Sequence, residues 1–109
     1  MHAEPVDERK YQFEGSDPSF VVLLFEPAGS WAVDCWELSR CGVLEAIRWA
    51  EDHVQPDGAW TLGLVETDGI GPGFTYIEGY DLNSDPRTPW QIDQKARALR
   101  RGGSRVLAD

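Results

Sequence analysis

Residues 20–38 read FVVLLFEPAGSWAVDCWEL. From Phe20 to Glu26 the side chains are β-branched, aliphatic or aromatic without alternation. That is the pattern of a strand covered on both faces, so this strand is expected at the centre of its sheet. Pro27-Ala28-Gly29-Ser30 supplies the residues of a tight turn, and the run Trp31–Leu38 completes a hairpin. Alternation sets Trp31, Val33 and Cys35 on one face of the second strand and Ala32, Asp34, Trp36 and Leu38 on the other.

Beyond this hairpin the period changes. Val43, Ile47, Ala50 and Val54 recur at i, i+4, i+7 and i+11 with Leu44 alongside, while Glu45, Arg48, Glu51 and Asp52 point elsewhere, which predicts an amphipathic helix. Ser39 or Gly42 caps its start, and Gln55-Pro56-Asp57-Gly58 ends it. Residues 59–66 alternate Trp60, Leu62 and Leu64 on one face, as a half-buried strand does. A glycine-rich loop at 68–73 leads to a return strand over 73–82, with Phe74, Tyr76 and Tyr80 sharing a face.

The last element is a basic helix over about 89–101. Thr88 is a good N-cap, Pro89 suits the first helical position, Gln91 completes a capping box, and Gly102-Gly103 is the expected stop. Ile92, Ala96 and Leu99 form the stripe expected to dock it, and residues 104–108 read as a short strand or a tail. The fold class is therefore α+β: a small antiparallel sheet of two hairpins with an intervening helix (ββαββ) plus a C-terminal helix. Residues 1–18, mixed in charge with Pro, Gly and Ser and one strand-like triplet at 11–13, are expected to be a loosely ordered arm. Residues 19–109 form a single α+β domain, as a chain of 109 residues suggests.

Composition narrows the classes. The chain is 41% hydrophobic and 27% charged with five Trp, which fits a folded protein rather than a disordered one. Its longest apolar run, Phe20–Phe25, is far below the roughly 20 residues of a membrane span. The N-terminus lacks the basic start and apolar stretch of an export signal, so a cytoplasmic location is expected, with Cys35 and Cys41 as thiols.

Charge is the most informative feature. Residues 1–85 hold 17 Asp and Glu against four Lys and Arg, a net of −13, whereas residues 86–109 hold six against two, a net of +4. Lys95, Arg97, Arg100 and Arg101 of the basic helix suit phosphates, an acidic partner, a second copy of the chain or the chain's own acidic body. The last is favoured, because the neighbouring −13 repels nucleic acid over a Debye length of roughly 8 Å. The acidic body itself suits a basic patch on another protein, with Asp34, Trp36, Glu37, Glu66, Tyr76, Glu78 and Tyr80 as candidate contact residues.

Motifs for chemistry fall short. Asp81-Leu82-Asn83-Ser84-Asp85 has the start of a calcium loop, but Pro86 stands where Gly is needed and Ile92 where the bidentate Glu belongs, so a local Asx-type turn is expected. Gly69–Gly73 has no Lys-Ser/Thr after it and precedes a strand, so it is no phosphate cradle. Nucleophilic catalysis has only Cys35 with His53 to draw on, since Cys41 stands about 18 Å from His53 along a helix. No cofactor and no metal site is expected. The reading that emerges is a small acidic, non-enzymatic module that binds another protein. Nucleic-acid binding, a small enzyme and a homodimer built on the basic helix are the alternatives, and no membrane partner is expected.

Overall fold

β1 (Ser19–Ala28) is flanked on both sides, which is why its run lacks alternation: it pairs with β2 (Ser30–Ser39) along its full length and with β3 (Ala59–Thr67) from Phe20 to Phe25. The computed structural model describes residues 1–7, 17–67 and 72–108. β4 (Pro72–Glu78) pairs with the other side of β3, giving an antiparallel sheet of order β2-β1-β3-β4. Helix α1 (Val43–His53) joins β2 to β3, and α2 (Pro89–Ala108) closes the chain. The α+β arrangement expected from the sequence is present. Residues 1–7 carry no regular secondary structure; the strand-like triplet at 11–13 and most of the loop at 68–73 lie outside the described residues.

One face of the sheet is covered by α1. Its small residues Ala46 and Ala50, with Val54, seat it on Phe20, Val22, Trp60 and Leu62, all buried. This corrects the expected stripe: Val43 is exposed and Leu44 is 78% exposed, because close approach to the sheet is made by alanines rather than by the larger side chains at the helix start. Gly42 is the N-cap, and the Glu45 carboxylate accepts its N–H at 3.2 Å.

The opposite face is covered at one end only. After β4 the chain turns at Gly79 (φ 85°), and the segment from Tyr80 to Thr88 crosses beneath the sheet. Leu82 from this crossing and Ala98 from α2 bury Phe25 and Ala59, with Leu23 and Trp31 at the margin. Because this second layer exists, β3 is buried on both faces, with Ala59, Thr61 and Leu62 at 1%, 0% and 0% exposed, and the half-buried reading does not hold. The return strand is shorter than expected: a register shift near Leu62 and Gly63 and the turn at Gly79 end β4 at Glu78, so Tyr80 lies beyond it.

Helix α2 begins as its capping box dictates, with Gln91 N–H donating to Thr88 Oγ1 (3.1 Å) and Gln91 Oε1 accepting from Thr88 N–H (3.2 Å). Two expectations for it are overturned. It runs through Gly102 and Gly103 to Ala108, so no terminal strand forms at 104–108; an interior glycine costs a helix about 1 kcal/mol without forbidding its geometry. Ile92 (54% exposed) and Leu99 face outward, and the docked side is Gln94 and Ala98, because Gln94 supplies the acceptor for the Gly79 N–H and Ala98 lets α2 pack with Phe25, Ala59 and Leu82.

Candidate functional site

The site is built on β2, the edge strand whose residues are exposed almost throughout. Trp31 stands opposite Pro27, which has no N–H to offer, so the backbone groups of Trp31 point away from β1. They are taken by Asn83, whose Oδ1 accepts from Trp31 N–H (3.1 Å) and whose Nδ2 donates to Trp31 C=O (3.0 Å). The β1–β2 register continues unbroken to Ser39, so by alternation the N–H and C=O of Val33, Cys35 and Glu37 also point outward. Among the described residues no strand pairs with this side of β2.

Each face of the edge has its own character. On the α1 side, Trp36 is half-exposed and packs on Trp49 (ring centroids 5.5 Å apart), and Trp49 stacks on His53 at 3.9 Å. His53 is held there by a 2.7 Å hydrogen bond between its Nδ1 and the Trp49 carbonyl. Asp34 lies on this same side and shares a small cleft of about 110 Å³ with Glu26 and Ala32. On the other side lie Val33 and Cys35, both exposed, and Glu37. β2 carries two carboxylates and no cationic side chain.

A second aromatic group sits on β4, on the uncovered end of the same face as Cys35. Phe74 lies directly over Gly63, where a Cβ would come within 2.4 Å of its ring. Its ring meets Tyr76 edge-on (5.1 Å), and Tyr76 in turn packs against Tyr80 (5.4 Å). The Tyr76 phenol is pushed up to about 12, first because burial disfavours the phenolate and then because the Asp81 carboxylate is nearby, so it stays a neutral donor at physiological pH. Asp81 itself is occupied by the turn expected of this stretch: its Oδ1 accepts from Asn83 N–H (2.9 Å) and its Oδ2 from the Ser84 hydroxyl (2.8 Å).

The basic helix faces its own body. Arg97 and Arg101 both reach Glu78 Oε1, at 3.2 and 2.7 Å, Arg101 also lies 4.6 Å above the Trp60 ring, and Lys95 donates to the Ser84 carbonyl (2.9 Å). Arg100 is exposed. The seven residues named on the acidic body are thus divided. Asp34, Trp36 and Glu37 share the β2 edge, Tyr76 on β4 packs against Tyr80 just beyond it, Glu66 is exposed on β3, and Glu78 is held by α2.

The Cys35–His53 pair is not assembled: Cys35 is on the face opposite α1, with the sheet between them. Cys41 lies just before α1, whose length of about 16 Å separates it from His53, and lines a shallow cleft of about 430 Å³ with Asp17, Arg40 and Glu45. Both cysteines are free thiols. Among the described residues no three His, Cys, Asp or Glu side chains gather as metal ligands would, and no helix is long and apolar enough to cross a membrane.

Sequence reasoning missed Asn83 as the partner of Trp31, and Trp49 and His53 as the support beneath Trp36. The Asn in an Asx-type turn was the visible signal, but its target lies 52 residues away. No protein-family model, curated protein or solved structure matches this chain.

Proposed function

We propose that this protein is a small non-enzymatic binding module that uses the acidic, aromatic β2 side of its body to engage a basic surface on another protein, in the manner of an inhibitor, antitoxin or immunity-type protein. The observation that carries the reading is the division of charge. Lys95, Arg97 and Arg101 are turned inward onto Ser84 and Glu78, while Asp34 is left exposed on the same face of β2 as the half-exposed Trp36 and Glu37 on the other face. A Trp seated on a second aromatic ring is the kind of side chain that anchors a protein interface, and carboxylates around it attract and select a cationic partner. The same inward turn argues against α2 as a surface for nucleic acid or for a second copy, since three of its cations, Lys95, Arg97 and Arg101, already have partners.

The test is affinity capture from native-host lysate with nuclease present, comparing the wild type with the triple variant Asp34→Lys, Trp36→Ala, Glu37→Lys. A stoichiometric protein retained by the wild type and lost by the variant is the expected result. Recovery that nuclease abolishes, or a partner that the variant holds equally well, sinks the reading.

A further inference from the structure

The mode of engagement follows from the backbone of β2, and it rests on the binding-module reading above. We infer that β2 accepts an extended basic segment of the partner protein as a fifth strand of the sheet. Strand addition needs an edge whose outward N–H and C=O groups are unpaired, long enough for several ladder bonds and not masked by side chains or loops. Among the described residues, Val33, Cys35 and Glu37 supply three such residues in succession. Asn83 shows what their partner looks like: its side-chain amide donates to and accepts from Trp31 as the backbone of a neighbouring strand does, and it ends the available edge at that point.

The side chains define the chemistry of the incoming segment. Its residues alternate between the two faces of β2. On the α1 side they meet Asp34, with Glu26 in the adjoining cleft, and then Trp36 backed by Trp49. Lys or Arg is the side chain that satisfies both, by an ion pair with the carboxylates and by lying over an indole face. On the other side the incoming residues meet Val33 and Cys35, which favour a β-branched partner, and then Glu37. Charge complementarity selects this occupant over a second β2, because two copies of this body bring net charges of the same sign together.

The probe is a labelled, end-capped peptide of roughly eight residues alternating Arg and Val, which at 3.3 Å per residue spans the open edge. The full-length protein is expected to bind it and, in hydrogen exchange, to gain protection at the amides of Val33, Cys35 and Glu37 while Trp31 is protected with or without it. The same peptide methylated at alternate backbone nitrogens keeps its charge and loses its ladder donors, and is expected to bind about tenfold or more weakly. Cys35→Pro removes an outward N–H and obstructs the edge while leaving the β1 ladder whole, so binding falls comparably. Asp34→Lys with Glu37→Lys leaves the backbone intact and shifts preference to an alternating Glu-Val peptide.

Equal binding of the methylated peptide, without protection of the three amides, overturns strand addition; if the double Lys variant then loses both peptides, the acidic-surface reading stands without it. Failure of the wild type to bind the Arg-Val peptide also overturns strand addition, and the lysate capture decides the broader reading separately.

Discussion

The outer side of β2 and the side of β3 beyond the end of β4 are finished in opposite ways. Where β4 stops at Glu78, α2 takes over the side of β3: Gln94 Oε1 accepts the Gly79 N–H at 2.9 Å, Ala98 fills the space beside Leu82, and Arg101 spans from Glu78 to the Trp60 ring. At β2, ten residues run along the margin, and among the described residues Asn83 is the side chain that meets the outward backbone, at Trp31. The difference teaches how each side is built. A chain that covers the side of β3 beyond β4 with a helix held by hydrogen bonds and ion pairs has the means to cover an open strand, yet among the described residues no strand pairs with the outer side of β2, which carries two carboxylates.

The strongest way to break the closed edge is at its corner. Gly79 has φ 85°, and a Cβ there would stand 2.7 Å from Thr61 Cγ2 and 3.0 Å from Thr61 Cβ. Gly79→Ala therefore combines a left-handed backbone with overpacking against a buried strand, and urea unfolding should show a loss of about 2–4 kcal/mol. An unchanged midpoint would mean that α2 does not depend on this corner for its seat. Gln94→Leu comes next. It keeps the side-chain volume near that of Gln but leaves the buried Gly79 N–H without its acceptor, at a cost of about 1–3 kcal/mol. If the variant is as stable as the wild type, the apolar contact of Ala98 alone closes this edge.

The contrast between edges also explains which parts were legible beforehand. β1 was readable because a strand covered on both faces writes that fact locally, in an unbroken apolar run. β3 is equally covered, yet its second face is made of Ala59, Thr61 and Gly63, small residues that leave no hydrophobic period to detect. The start of α2 was readable because Thr88 and Gln91 satisfy each other within one turn. Its docked face was not, since Gln94 and Arg101 are chosen by Gly79, Glu78 and Trp60, partners that come together only once the sheet exists. The candidate site divides in the same way. Asp34, Trp36 and Glu37 were recognisable as exposed types on one strand, but that Trp36 rests on Trp49 and that β2 is an edge depend on tertiary placement.

The smallest expected effect is the most informative about the open edge. Asn83→Ala removes both hydrogen bonds to Trp31, but the groups it releases lie in an exposed region where water replaces the lost partners. The stability change should therefore be about 0.5–1.5 kcal/mol, the net worth of ordinary hydrogen bonds rather than the penalty of a buried orphan. Hydrogen exchange is the sharper readout. In the wild type the Trp31 amide should be protected while those of Val33, Cys35 and Glu37, which share its outward orientation, exchange quickly. In the variant Trp31 should join them, while the inward amides bonded to β1 keep their protection. That result would mean that one side chain sets where the open edge of β2 begins. Slow exchange at all four outward amides in both proteins would instead show that the edge is already covered, and the two sides of the sheet would no longer differ in the way argued above.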